Sequence, residues 1–198
     1  MLMKEENKQI IWDLAEQIVS SMGLVIWGLD IISGPTTKVR LFIDSAPEAN
    51  SDEEGSEPKP LAGIDECERV SRRLGLALEA EDLFPNAWEL EVSTPGLERK
   101  FYSADQMRPY VGDMIEAALY EPLKDFGSRK VFKGKLIDVG EDYFELEPCS
   151  IGEDGQILPE NLPTARIPFG IVRNARRIHI FSVPKKPSKR QGKGGRGK

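Results

Sequence analysis

The apolar positions in the first half of the chain predict a helix, a β-hairpin, a second helix and a third strand. In residues 5–22 they recur at helical spacing, at Ile11, Leu14, Ile18 and Met22. Residues 24–32 and 38–45 are rich in β-branched and aromatic side chains. Because Ser-Gly-Pro-Thr-Thr separates these two segments, they are typical of a hairpin.

A second helical pattern covers residues 64–82. Its inner stripe is formed by Cys67, Val70, Leu74 and Ala77 or Leu78. Asp65 and Glu68 resemble a capping box, in which a glutamate bonds back to the residue that caps the helix. The sequence Trp-Glu-Leu-Glu-Val-Ser at 88–93 then alternates, which predicts a strand with one covered face and one wet face that carries Glu89 and Glu91.

The second half of the chain has a different pattern. Short alternating segments follow one another at close spacing, with Gly, Pro and Asp between them and no long amphipathic helix. Five such strands predict a small antiparallel β-barrel, which removes most exposed strand edges by closing the sheet. The sequence Phe-Gly-Ile-Val before the last strand is expected to form a single helical turn.

The two halves meet in a turn. Pro95 suits the second position of a type II turn, and Gly96 suits the third position, which requires a positive φ. The turn and hinge residues are therefore Thr94, Pro95, Gly96 and Leu97. We expect Leu97 and Phe101 to anchor this segment to the two halves, with the two bases between them facing outward.

These patterns predict an α+β protein with an N-terminal α-β-β-α-β domain at 1–97, a linker at 98–102 and a C-terminal β-barrel at 103–183. Residues 46–60 contain five acids and three prolines, which predicts a mobile acidic loop inside the first domain. Residues 184–198 are rich in Gly and Lys, which predicts a disordered basic tail.

Charge is distributed unevenly along the chain. The net charge is −6, but the tail from 185 to 198 holds seven Lys or Arg and no acid, so residues 1–184 carry −13. An acidic body with a basic tail indicates partners other than bulk nucleic acid. The chain has no apolar run near the roughly 20 residues of a membrane span and no secretory signal pattern, so we expect a cytoplasmic protein.

Catalytic chemistry has little support in the sequence. Asp30, Asp44, Glu89 and Glu91 form a conceivable metal-binding carboxylate cluster for a nuclease, but alternating acids on a strand are usually its solvated side. A nucleophilic Ser93 or Thr94 lacks a base, because the single histidine, His179, lies in the other domain. Cys67 and Cys149 belong to no metal or redox motif. We therefore expect no enzymatic activity, no cofactor and no metal.

Clustered bases are the remaining candidates for function, as contacts to RNA phosphates or to an acidic protein surface. They are Arg72, Arg73, Arg99, Lys100, Arg129, Lys130, Lys133, Lys135, Arg173, Arg176 and Arg177. The alternative is that many of them pair with acids on the protein itself, as the i, i+4 spacing of Glu68 and Arg72 suggests.

Four stretches make the chain resemble the RimP family of ribosome maturation factors. They are VRLFIDS at 39–45, IDECERVSRRL at 64–74, ELEVSTPGLERKF at 89–101 and ARIPFGIVRNARR at 165–177. The third is the most specific, with Thr94 and Glu98 as mild variants and Lys100 where the family commonly has proline. The acidic segment at 46–60 and the long basic tail do not follow the family pattern.

This resemblance implies an SH3-like, Sm-related barrel and a non-enzymatic, cytoplasmic factor that binds the free small (30S) ribosomal subunit and aids its late maturation. It further implies contacts to ribosomal RNA and, through the barrel, to small-subunit ribosomal protein number twelve. We expect a monomer that does not bind membranes. The alternative is a general RNA-binding regulator that captures single strands with an Sm-like barrel and the basic tail.

Overall fold

The computed structural model describes residues 2–46, 62–152 and 155–180. The protein is α+β, as predicted. Its first part consists of α1 (Leu2–Ser20), β1 (Leu24–Ile32), β2 (Thr37–Ser45), α2 (Ile64–Glu81) and β3 (Trp88–Ser93). We refer to these elements as the N-terminal unit.

The N-terminal unit is a three-stranded sheet with both helices on one face. β1 pairs with β2 in antiparallel fashion, and β3 joins the other edge of β2 in parallel. Val39 and Leu41 of β2 are fully buried against Ile11 of α1 and Leu74 of α2. Neither α1 nor α2 covers the opposite face of the sheet, which is where the C-terminal half of the chain meets it.

The predicted inner stripe of α2 is confirmed, whereas its predicted cap is wrong. Cys67, Val70, Leu74 and Leu78 are the buried residues of the helix. The helix is capped at Gly63, whose backbone N–H donates to Glu66 Oε2 at 3.1 Å. This pair begins two residues earlier in the chain than the expected pair, Asp65 and Glu68. Glu68 is instead paired with Arg72 along the helix surface.

The second part of the chain, from residue 98 to residue 180, is a sheet of short strands that we call the C-terminal unit. Its strands are β4 (Lys100–Phe101), β5 (Met114–Leu119), β6 (Val131–Val139), β7 (Tyr143–Ile151), β8 (Ile157–Pro159), β9 (Ala165–Pro168) and β10 (Val172–Ile178). The order across the sheet is β4-β10-β5-β6-β7-β8, and β9 also pairs with β7. The helical turn expected before the last strand is present at Phe169–Ile171.

The prediction of a closed barrel is wrong for the residues that the structure describes. No ladder among them joins β8 or β9 to β10 or β4, so the sheet stays open. It nevertheless surrounds a single core, in which Phe132, Phe144, Leu146 and Ile167 are fully buried. Strand alternation predicts the strands and their inner faces, but closure depends on a pairing between the ends of the sheet, which alternation does not encode.

The segment at 98–102 is not a free linker. Lys100–Phe101 form β4 against β10, and the backbone N–H of Arg177 donates to the carbonyl oxygen of Arg99 at 3.0 Å. Phe101 is buried, as expected of an anchor, but Leu97 is 57% exposed and does not anchor the chain. Gly96 has a φ of +69°, in agreement with the predicted turn.

The two predicted mobile segments cannot be compared with this fold. Of the acidic loop at 46–60, residues 47–60 lie outside the described residues, as does the whole basic tail at 184–198. No helix in the described ranges is long and apolar enough to cross a membrane.

Candidate functional site

Most of the predicted RNA-binding bases face an acid of the protein itself. The pairs are Arg72 with Glu68, Arg99 with Asp44, Lys100 with Asp30, Arg129 with Glu160, Lys133 with Glu116, Arg176 with Glu116 and Glu98, and Arg177 with Asp113. A base that is already neutralised within the fold contributes less to phosphate binding than a free one.

Four bases of the predicted set make no ion pair with a described residue: Arg73, Lys130, Lys135 and Arg173. Arg73 Nη1 donates to Ser21 Oγ at 3.4 Å, and Lys130 Nζ donates to the carbonyl oxygen of Tyr120 at 2.9 Å. Arg173 is the extra residue of a β-bulge, because the register of β10 against β5 shifts between Val172 and Asn174. The charges of these four bases are therefore not offset by an ion pair within the described part of the chain.

A three-strand charge network lies on the outer face of the C-terminal sheet. Glu116 of β5 accepts from Arg176 of β10 at 3.0 Å and lies 3.2 Å from Lys133 of β6. Burial alone would raise the pKa of Glu116, but hydrogen bonds from the two bases and their charges outweigh it and lower the pKa. The ionised carboxylate therefore joins three strands.

Glu116→Gln should lower the free energy of unfolding by about 1 kcal/mol at pH 7, because it removes the charge of a partly buried network. A carboxylate with a lowered folded-state pKa stabilises the fold above its unfolded pKa, and this contribution disappears as the pH falls through the folded pKa. The difference between wild type and variant should therefore shrink as the pH falls below the ordinary pKa of a glutamate, and should vanish below the lowered pKa of the folded state. Urea unfolding across that range measures it, and a difference that persists at low pH would contradict this role.

The carboxylates considered for metal binding are also neutralised by bases. Lys38 and Arg40 of β2 pair with Glu89 and Glu91 of β3, so these two glutamates line the wet face of the sheet, as predicted. Asp30 and Asp44 pair with Lys100 and Arg99. Within the described ranges, no group of three or more potential ligands comes together to hold a metal ion.

The two units meet at a junction built around Trp27. The register of β1 against β2 shifts between Ile26 and Gly28, which leaves Trp27 as the bulged residue of β1. Trp27 packs against the core of the C-terminal unit, and its Nε1–H donates to the carbonyl oxygen of Lys100 at 2.7 Å. Gln106 Nε2 donates in turn to the carbonyl oxygen of Trp27 at 2.6 Å. A side chain of the first sheet thus completes the second core.

Arg99 connects the same two units by charge and stacking. Its guanidinium lies 4.8 Å from the Trp27 ring centroid and 5.4 Å from that of Tyr110. It donates to Asp44 Oδ2 of β2 at 2.9 Å and to the hydroxyl of Tyr110. The side chain of Arg99 is only 19% exposed, so the expectation that it faces outward is wrong.

Lys100 and Tyr102 form a second connection on the helix-free face of the first sheet. Lys100 Nζ donates to Asp30 Oδ1 at 2.7 Å, and the Tyr102 hydroxyl donates to Asp30 Oδ2 at 3.1 Å. The Tyr102 ring lies directly on Gly28, where an added Cβ would be 2.0 Å from a ring carbon. Burial raises the pKa of Tyr102, and the charge of Asp30 and the hydrogen bond to it raise the pKa further.

A cavity of about 590 Å³ opens beside this junction. Its lining combines the indole of Trp27, the ring of Tyr110 and Pro109 with the paired charges of Asp44 and Arg99. Reasoning from the sequence did not find it, because its walls come from segments that are distant in the chain. The bulge at Trp27 was not visible either, since residues 24–32 form one uninterrupted strand pattern.

Comparison with known proteins shows that this chain is similar to ribosome maturation factors. Residues 14–98 match the family model for the RimP N-terminal domain. The Ribosome maturation factor RimP of Desulfovibrio desulfuricans is 40% identical over 215 aligned positions, which cover 92% of this chain and 83% of that protein. The proteins of the same name from Nitratidesulfovibrio vulgaris and Lawsonia intracellularis are 40% and 34% identical, covering 91% and 90% of this chain and 95% and 90% of their own lengths.

Proposed function

The chain belongs to the RimP family of ribosome maturation factors, and from this membership we propose that it binds the free small (30S) ribosomal subunit and promotes its late maturation. The observation that carries the proposal is a sequence identity of 40% to named ribosome maturation factors, which extends over nearly the whole chain. We propose that the protein acts in the cytoplasm, as a monomer, without catalysing a reaction.

A binding factor can promote maturation by holding one conformation of the particle. Such a population shift requires only that the factor binds the favoured conformation more tightly than the others. The pairing of Asp30, Asp44, Glu89 and Glu91 with bases supports a role in binding rather than in metal-assisted chemistry.

Two kinds of ribosomal partner are proposed. The C-terminal unit would hold small-subunit ribosomal protein number twelve, and the bases without internal partners would contact ribosomal RNA. The net charge of −13 over residues 1–184 supports the first contact, because a basic ribosomal protein is attracted over long range and meets an acidic body faster.

Depleting the protein in the cell that encodes it tests the maturation role. The expected result is a rise in free small subunits that carry unprocessed ribosomal RNA ends, together with fewer complete ribosomes. Restoring the wild-type chain should reverse both changes. A subunit profile and RNA processing pattern unaffected by depletion would contradict the proposal.

The basic tail favours a second candidate, a general RNA-binding regulator. Seven bases without an acid would give the tail affinity for any single strand. In that case, deleting residues 185–198 should abolish binding to naked RNA and reduce the slope of log affinity against log salt by about 5. If the deletion leaves small-subunit binding and maturation intact, the tail is not what defines the function.

A further inference from the structure

We propose that the outer face of the C-terminal sheet carries a binding site for single-stranded RNA centred on Tyr120. We call it the Tyr120 patch; its members are Tyr120, Lys130, Val131, Arg173 and Asn174. The inference deepens the proposed function, on which it rests, by naming a surface and a ligand class for it.

The strand ladders bring these residues together. Ala118 of β5 lies opposite Asn174 of β10 on one side and opposite Val131 of β6 on the other. Ala118 has a short side chain, so the surface is recessed between Asn174 and Val131. Tyr120 follows at the end of β5, where its backbone N–H donates to the carbonyl oxygen of Ile171 at 2.9 Å. The patch is therefore a shallow surface with a rigidly held backbone.

An exposed aromatic ring is the central feature of this surface. Tyr120 is 65% exposed and Val131 is 46% exposed, whereas the rings of Phe132 and Phe144 are fully buried. An exposed tyrosine provides a flat face on which a nucleobase can stack, and such stacking is tolerant of base identity. The aliphatic Val131 gives the stacked base a second apolar contact.

Two bases without an ion pair to a described residue belong to the patch. Arg173 is exposed at the bulge of β10 without an ion pair in the described part of the chain, and Lys130 Nζ is bonded only to the carbonyl oxygen of Tyr120. On the same face, Lys133 and Arg176 are already neutralised by Glu116. Neither base forms an ion pair with Glu121, the exposed acid next to Tyr120, so Arg173 and Lys130 both remain able to contact phosphates of a bound strand.

Asn174 adds a group that can bond to a base edge. It is half-buried in the patch, and its amide makes no hydrogen bond with any residue that the structure describes. An amide can donate to and accept from the edge of a base that is not paired with another strand. Ring, bases and amide together favour single-stranded RNA, because a nucleotide offers a base face to the ring, a phosphate to the bases and a base edge to the amide.

Fluorescence anisotropy with the full chain and a labelled, unstructured 12-nucleotide RNA tests the patch. Tyr120→Ala should weaken binding at least about 5-fold, whereas Tyr120→Phe, which keeps the stacking face, should stay within about 2-fold of wild type. Unchanged affinity of Tyr120→Ala, or an equal loss in Tyr120→Phe, would overturn the proposal. Unchanged thermal unfolding of Tyr120→Ala shows that a loss is not due to misfolding.

The salt dependence of RNA affinity tests the role of Lys130 and Arg173. Combining Lys130→Gln with Arg173→Gln should reduce the slope of log affinity against log salt by about 1.4, since two phosphate contacts are lost. Arg166→Gln is the matched control, because Arg166 is an exposed arginine of the same sheet that already stacks on Tyr143 at 3.7 Å and faces Glu145. A slope that falls equally in the control would contradict a localised site.

Sedimentation of the same variants with purified small subunits separates this proposal from the proposed function. If wild type travels with small subunits while Tyr120→Ala binds the RNA as tightly as wild type, the patch is wrong and the function stands. If wild type never travels with small subunits but RNA binding depends on Tyr120, the patch stands and the function is wrong.

Discussion

Replacing Trp27 by alanine should lower the free energy of unfolding by about 3 kcal/mol and separate the unfolding of the two units. The indole fills space in the C-terminal core, where it contacts Phe101 and Tyr110 with ring centroids 6.2 and 6.5 Å apart. Deleting it leaves a cavity and removes the hydrogen bond to the carbonyl oxygen of Lys100. It also removes one of the two rings between which Arg99 lies.

Urea unfolding followed by two probes measures this effect. Trp12 and Trp88 pack against the N-terminal core, so fluorescence of the variant reports that unit, while circular dichroism reports both. In wild type the two transitions should coincide, whereas in Trp27→Ala they should not. Trp27→Phe keeps most of the packing and should lose only about 1 kcal/mol. Coincident transitions with an unchanged midpoint in Trp27→Ala would show that the junction does not couple the units.

Gly28→Ala should destabilise the protein by about 2 kcal/mol, although the change adds only one methyl group. The new Cβ would overlap the ring of Tyr102, which cannot move away without giving up its hydrogen bond to Asp30. Overpacking forces either the β1 backbone at Gly28 or the Tyr102 ring to shift. Because both take part in the contact between the two units, either shift weakens that contact. The stability is measured by chemical unfolding.

Gly75→Ala is the matched control for this substitution. Gly75 lies inside α2, and beyond the helix's own nearby backbone an added Cβ there meets no atom within 4 Å. Alanine in a helix interior is favoured over glycine, so this variant should gain about 0.8 kcal/mol. If Gly28→Ala stabilises the protein as Gly75→Ala does, the contact between Tyr102 and Gly28 does not exclude a larger side chain at residue 28.

The features that sequence reasoning predicted correctly depend on neighbours in the chain. The buried stripe of α2 and the alternation of β3 follow from periodicity alone, because a helix or strand places its own residues on faces. The positive φ of Gly96 follows from the local chemistry of a Pro-Gly turn. The family was also predicted correctly, since its motifs are continuous stretches of sequence.

The roles of the bases could not be predicted in this way. Arg99 and Lys100 follow an exposed turn, which suggested outward-facing charges, but their acidic partners lie 55 and 70 residues away in the chain. Only tertiary folding brings β2 and β1 beside them. In the same way, a bulge decides that Trp27 enters the second core, and its position is set by the pairing of β1 with β2.

Because most of the predicted bases are paired with acids of the same chain, fewer of them are available to the proposed ribosomal partner. Replacing Arg99 and Lys100 by alanine would loosen the junction by breaking their pairs with Asp44 and Asp30, so a change in binding in these variants would not report an RNA site. Lys130, Lys135 and Arg173 are better reporters, because they have no acidic partner among the described residues to leave unpaired.

Sedimentation of the purified chain with purified ribosomal particles tests the central claim most directly. We predict that the protein travels with free small subunits, and not with large subunits or complete ribosomes, at a salt concentration that removes binding to an unrelated RNA. A protein that stays at the top of the gradient with small subunits present, or that travels equally with all three particles, would contradict a role as a small-subunit maturation factor.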